Sequence, residues 1–222
     1  MIASGTRSPG RPPDRSLPRR RREEILHAAT RLFAREGYAG TDLQRIADRL
    51  GLAKGTLYRY FPSKRAIFLA GVDRGMEMLN DALASAAAGA PGPLARIHRV
   101  IGAYLTFFRD HPELCELFVI ERAEFRDRRA PAYFRHRGAN RETWRAFYLD
   151  LIRGGLVRDV PVERILNVLG DLVYGTMFTN FLTRRERAPE EQAREIIDVV
   201  FHGILTPAGQ RRWASLEKDL ST

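Results

Sequence analysis

GLAKGTLYRYFPSK (51–64) sets two glycines, a threonine, two tyrosines, a phenylalanine and three cations within fourteen residues. It is too polar for a core segment and too aromatic for a solvated loop. Its flanks supply a reason. Upstream, Ile25, Ala28, Ala29, Leu32 and Phe33 recur on one face of a helix, with Pro18 in its first turn and Gly37 as its stop. Thr41-Asp-Leu-Gln44 is a capping-box pattern opening a second helix. That helix turns Leu43, Ile46, Ala47 and Leu50 inward, and Gly51 ends it. A third helix is expected from about Lys54 to Phe61, before Pro62 and Ser63 break the chain and a fourth begins near Lys64. Two short helices joined by a glycine turn, after a longer helix, make a helix-turn-helix.

The second helix of such a pair enters the major groove of DNA with its N-terminal end leading. The quoted composition suits that surface. Lys54 can neutralise a phosphate, and Gly55 lets backbone approach the duplex closely. Thr56 offers a methyl to a thymine, and Arg59 two donors to a guanine edge. Tyr58 and Tyr60 offer a ring and a polar tip to the sugar–phosphate wall. Leu57 and Phe61, four residues apart, hold the helix to its neighbours. Tyr58 reads equally as a packing residue, and Thr41 as a cap or a phosphate ligand, since helix N-termini bind anions. Arg45 and Arg49, on the outer face of the second helix, suit solvent as well as DNA.

Over residues 19–65 the chain resembles the DNA-binding domain of the TetR family of bacterial transcriptional regulators. The resemblance is carried by ILHAATRLFAREGYAGTDLQRIADRLGLAKGTLYRYFPSK, about a fifth of the chain. It implies phosphate contacts from Thr41, Tyr58, Tyr60 and Lys64, and groove contacts from Lys54, Gly55, Thr56 and Arg59. Ala53 stands where the family often has Ser or Thr. Arg59 stands where an aromatic residue or Asn is common, and Tyr60 where His is. These departures bear on which operator is read.

The charge distribution agrees with a polyanion partner at this end. Residues 1–65 hold 15 basic and 6 acidic side chains, a net +9 of the chain's +10, whereas residues 66–222 hold 22 and 21. Such a local excess is the footprint of a module that binds nucleic acid or an anionic membrane. Residues 1–17 read as a flexible basic arm, too poor in apolar residues to fold alone. A single cysteine, Cys115, excludes an internal disulfide and fits a reducing compartment. No apolar run is expected to reach the 18 or so residues of a membrane span, and no signal peptide is evident, so the expected location is cytoplasmic.

The rest of the chain shows no strand alternation. Amphipathic segments are expected at about 64–85, 94–109, 112–127, 131–154, 162–185 and 189–205. The expected fold is all-α: a flexible basic arm (1–17), a three-helix DNA-binding domain (18–65), a helical ligand-binding and dimerisation domain (66–207) and a C-terminal tail (208–222). Residues 162–205 read as a dimerisation pair through Ile165, Leu169, Leu172, Val173, Ile197, Val200, Phe201 and Ile204, with Gly170 and Gly175 permitting close helix approach. Candidate ligand-pocket residues are Tyr104, Phe108, Phe118, Trp144, Tyr148, Asn167, Asp171, Tyr174 and Phe178; core packing is the competing reading for each. Residues 119–137 read as a helix laced with surface ion pairs; the sharper reading turns some of these charges toward the pocket, to recognise a charged or polar ligand.

His98, His111, His136 and Cys115 have no metal-ligand spacing, and neither a phosphate loop nor a nucleophile elbow occurs. The expectation is a non-enzymatic, cofactor-free homodimeric regulator, in the main a repressor. Its partners would be a palindromic operator in double-stranded DNA and a small-molecule effector, with no membrane. An architectural or division-linked DNA-binding protein without an effector is the alternative.

Overall fold

Every regular element in the computed structural model, which describes residues 17–203, is helical. The residues outside that range include all of the arm but Leu17, the whole tail and Ile204. The chain divides into two compact units between Arg74 and Gly75.

In the first unit, α1 (Leu17–Gly40) buries Ile25, Leu26, Ala28, Ala29, Leu32 and Phe33. Its regular geometry stops at Gly37, whose φ of 72° is a left-handed conformation that glycine adopts without strain. The capping of α2 (Leu43–Arg49) differs from expectation by one residue. Asp42, not Thr41, accepts the Gln44 backbone N–H, at 2.8 Å. Thr41 turns inward: it is 3% exposed, and its hydroxyl donates to the Gly37 carbonyl at 2.7 Å. The threonine thus closes the turn that Gly37 opens. Gly51, at φ 63°, follows the C-cap of α2, and α3 (Lys54–Tyr60) begins three residues later. Leu57 and Phe61 are fully enclosed, and the Arg22 guanidinium lies 4.4 Å from the centre of the Phe61 ring. Phe33, Tyr38 and Phe68 stack about one another, with centroids 5.2–5.8 Å apart. Phe68 comes from α4 (Lys64–Ala88), which begins in this unit.

The second unit contains α5 (Pro93–Asp110), α6 (Pro112–Glu124), α7 (Ala132–Ala139), α8 (Arg141–Arg153), α9 (Val162–Thr183), α10 (Pro189–Ile197) and a π-helical turn, Asp198–His202. Proline at the first turn of α5, α6 and α10 costs no intrahelical hydrogen bond. α10 and α9 pack against α5, α6 joins α5 and α9, and α8 lies along α9. The segment expected as one helix over 131–154 is two, divided at Asn140, which stands at the C-cap of α7 and the N-cap of α8. Its side-chain amide donates to the Asn80 side chain at 2.9 Å.

Residues 119–137 also depart from the ion-laced helix. α6 ends at Glu124, and Glu121 is 1% exposed. Its carboxylate accepts from the Arg128 guanidinium at 2.6 Å and from the Ala132 backbone N–H at 3.0 Å. One buried acid therefore holds the following loop and satisfies the first N–H of α7.

α9 is long and apolar enough to cross a membrane by length and composition, against the expectation that no segment is. Asp171 is the sole charge between Ile165 and Leu182. The helix nevertheless turns Leu169, Val173 and Met177 into the bundle. Cys115 is buried there too, its Sγ 3.2 Å from Met177 Sδ, and burial pushes its thiol up to about 12.

Candidate functional site

Three surfaces carry the expected functional residues. The first is the outer side of α3. Gly55, Tyr58 and Arg59 are exposed, and Lys54, Thr56, Tyr60 and Lys64 are half-buried, while Leu57 pins the helix from behind. Gly55 has nothing within 4 Å of where a Cβ would stand, so the backbone itself is presented there. Most of the cations are steadied by neighbours. Lys54 lies 3.2 Å from the Asp42 carboxylate, and the Arg59 guanidinium donates to the Thr56 hydroxyl at 3.3 Å. Lys64 donates to the Ala39 carbonyl at 3.2 Å and lies 4.8 Å from the centre of the Tyr38 ring. The Gln44 N–H, and next Lys54, hold the Asp42 carboxyl below its ordinary range. Thr41 is the exception among the expected contacts, since its side chain is used inside the fold and has no surface to offer a phosphate. Arg45 pairs with Glu36 at 2.6 Å. Ala53, the N-cap of α3, makes no side-chain capping bond, so the first N–H groups of α3 lack the hydroxyl partner a Ser or Thr would give.

The second surface is a cleft of about 820 Å3, its open mouth included, among α5, α7, α8 and α9. Of the expected pocket residues it gathers Tyr104, Trp144 and Tyr148. Its apolar wall comes from Ile97, Val100 and Ile101 of α5 and from Leu166, Leu169 and Val173 of α9. Tyr133 pairs its hydroxyl with that of Tyr104 at 2.8 Å. Burial pushes Tyr104 well above its ordinary range and Tyr133 up to about 12, so both stay neutral. Arg137 and Arg141 are the charged residues of the lining.

Phe108 lies instead in a depression bordered by the arginines of 184–187, and Phe118, Tyr174 and Phe178 in a shallow one beside Arg122. Asn167 and Asp171 are exposed and serve as acceptors for Arg141 and Arg137, at 3.0 and 2.8 Å. Their polarity in an apolar helix is thus explained by two arginines on neighbouring helices. Arg137 falls in the stretch whose charges could turn toward the pocket, but nothing local singles it out there, and nothing local singles out Arg141 among the arginines of 122–145.

The third surface is the outward face of α9. Leu169 and Val173, expected at a subunit interface, point instead into the chain's own bundle. Along one line of that face, flanked by exposed Asn167 and Asp171, Val168, Leu172, Gly175, Thr179 and Leu182 are exposed. With half-buried Ile165 they recur at alternating spacings of three and four, the seam of a helix that pairs with another helix. Val168, Leu172 and Leu182 are 56%, 38% and 68% exposed. Gly175 has open space where a Cβ would stand. Val199 of the π-turn is also exposed, while Ile197, Val200 and Phe201 are half-buried. Among the described residues no cluster of three His, Cys, Asp or Glu side chains assembles to hold a metal.

Comparison with known proteins places this geometry. Residues 25–70, which include α2, α3 and their turn, match the family of bacterial regulatory proteins named for tetR. The chain is 34% identical over 104 residues to the uncharacterized HTH-type transcriptional regulator YerO of Bacillus subtilis, covering 46% of this chain and 36% of that protein. It is 32% identical over 98 residues to the HTH-type transcriptional repressor KstR of Mycolicibacterium smegmatis, covering 44% of this chain and 48% of the relative. The matched region thus spans half or less of these relatives' lengths. The fold is shared with the transcriptional regulator FadR of Bacillus subtilis, solved with stearoyl-CoA. That likeness has a TM-score of 0.68 at 17% identity, over 82% of this chain and 99% of that one. The helix-turn-helix and its sequence match agree: residues 25–70 are similar to the DNA-binding domain of the TetR family of bacterial regulatory proteins, and the all-helical second unit shares the fold of regulators of that type.

Proposed function

We propose that the protein is a repressor that binds a palindromic operator as a homodimer and is released by a small molecule held in the cleft of its second unit. One observation carries the reading. α3 presents Lys54, Thr56, Tyr58, Arg59 and Tyr60 outward on a backbone fixed by Leu57 and Phe61, and α4 opens with Lys64. Cations on such a face neutralise phosphates, and the forked guanidinium of Arg59 reads a base edge. A dimer sets two such helices about 34–36 Å apart, one helical turn of the duplex.

The dimer is built on α9. Its bare apolar seam needs a cover, and a second copy of the same seam gives an isologous, closed interface. This reading accounts for its membrane-like composition without a bilayer. The family relatives named as a regulator and a repressor support transcriptional control, and a chromosomal target calls for a cytoplasmic protein. The cleft favours an effector-responsive protein over an architectural one, since its apolar walls and a few polar side chains converge on one concave space among four helices.

The experiment is selection of duplexes from a random pool by the full chain, followed by fluorescence anisotropy. Palindromic sequences bound with a steep fall in affinity as salt rises are expected. Enrichment of no sequence, or binding unaffected by Lys54→Ala with Arg59→Ala, would overturn the reading.

A further inference from the structure

The cleft contains a chemical instruction, and following it rests on reading the cleft as an effector site. Its body is apolar, yet Arg137 and Arg141 stand in its lining. Both guanidiniums are currently occupied by side chains of α9. Arg137 reaches Asp171 at 2.8 Å and the Leu166 carbonyl at 3.4 Å. Arg141 is paired with Glu163, and it donates to Asn167 at 3.0 Å. The acids are poorly sheltered: the Asp171 and Glu163 side chains are 72% and 48% exposed, whereas Arg137 is 25% exposed. Exposed ion pairs are weak, and an acid returned to water from such a position gives up little.

We propose that the cleft takes an apolar monocarboxylate, whose head group displaces Asp171 and Glu163 from Arg137 and Arg141 while its hydrocarbon body fills the cleft. A cationic ligand would meet two like charges at the same place. A neutral one gains nothing from the two guanidiniums, since its head group is a weaker acceptor than the carboxylates already paired with them. Glu163 is left with a partner after the exchange, since Arg145 also donates to it, at 3.2 Å.

Gly170 is part of the device. A Cβ there would land on the Arg137 guanidinium, which lies flat across α9 at that residue. A larger residue would push the guanidinium aside without changing any charge. The exchange also has a direction. Both arginines belong to α7 and α8, and both acids to α9. Capture of the head group therefore loosens α7 from the helix whose outward face is the bare apolar seam, while Arg145 keeps α8 tied to it.

The test is equilibrium binding to the full chain by the fluorescence of Trp144 in the cleft wall, with Trp213 replaced by Phe. The probes are octanoate and 4-phenylbutyrate, each against its own amide. At least one acid is expected to bind at least about tenfold more tightly than its amide, the scale of a charge-assisted hydrogen bond. Arg137→Ala with Arg141→Ala should reduce the acid to the level of its amide and leave the amide unchanged, and Gly170→Ala should weaken the acid alone. Asp171→Asn should tighten the acid by up to about fivefold, the scale of an exposed ion pair. A misfolded variant cannot produce that gain. Acid and amide binding equally, or an acid indifferent to both the arginines and Asp171, would overturn the carboxylate assignment and leave the cleft as an effector site. Binding of none of the four probes would likewise overturn the carboxylate assignment.

Discussion

α3 and α9 present their working faces to solvent on opposite plans. α3 spans seven residues and buries its apolar side chains, Leu57 and its neighbour Phe61, leaving a face of tyrosines and cations. α9 spans 22 residues and leaves Val168, Leu172 and Leu182 bare on a seam that runs much of its length. A polar face is content in water and meets a partner that is itself charged and hydrated. An apolar face of that length gains about 25 cal/mol for each Å2 it hides, so it calls for a cover. The two faces should therefore fail differently: one through ionic contacts that salt screens, the other through burial that salt leaves intact.

The largest effect is expected on α9. Leu172→Asp places a carboxylate in the middle of the seam. Burying it unpaired costs about 3 kcal/mol per chain, and two-fold symmetry counts the cost twice. The dimer constant should weaken by about four orders of magnitude, giving a monomer in sizing with light scattering at micromolar concentration. The matching change on the other face, Tyr58→Asp, should leave the dimer intact and remove DNA binding. A dimer that survives Leu172→Asp would mean that α9 is covered by something other than its own copy.

Next comes the loss of cations from α3. Lys54→Ala with Arg59→Ala should cost about 2 kcal/mol per half-site, about 4 over a two-fold site. The single variants separate the roles. Lys54→Ala should weaken all duplexes alike and flatten the salt dependence by about one phosphate per subunit. Arg59→Ala should relax discrimination at one base position and leave the slope nearly unchanged. Anisotropy across a salt series checks both. Loss of discrimination with Lys54→Ala instead would exchange the two assignments.

The same contrast explains what could be read from the chain. The helix-turn-helix is made of local signals: a glycine at positive φ, apolar residues three and four apart, short connections. Ile25, Phe33, Ile46, Leu57 and Phe61 could be placed from spacing alone, and all are buried. Thr41 was misread as a cap because Thr-x-x-Gln and Asp-x-Gln overlap by one residue, and only the turn at Gly37 decides which hydroxyl or carboxylate faces inward. In the second unit helices could be counted, but their rotation could not. Periodicity gives α9 a broad apolar arc without saying which edge meets α5 and which stays bare, so Leu169 and Val173 were assigned to the wrong side.

Glu121 is the extreme case, since its partners Arg128 and Ala132 lie beyond the end of its own helix. Glu121→Ala would strand the Arg128 guanidinium and the first N–H of α7. A loss of about 3 kcal/mol is expected, seen as a fall in Tm of roughly 6–12 °C for a chain of this size. A surface ion pair would give no measurable change.

The smallest effect returns to α3 and separates its stability from its affinity. Ala53 leaves the helix without a side-chain cap. Ala53→Ser supplies a hydroxyl that can accept from the backbone N–H of Gly55 or Thr56, worth about 1 kcal/mol. Tm should rise by roughly 2–4 °C if the first unit limits unfolding. The same hydroxyl sits where α3 would approach a phosphate, so the substitution also tests what that N-terminus offers DNA. If the uncapped N–H groups serve the duplex directly, as helix N-termini serve anions, the new hydroxyl competes with the phosphate, and affinity falls as stability rises. A parallel gain in both would instead show that the terminus binds DNA through side chains, with Lys54 as the phosphate ligand and the cap a matter of folding alone.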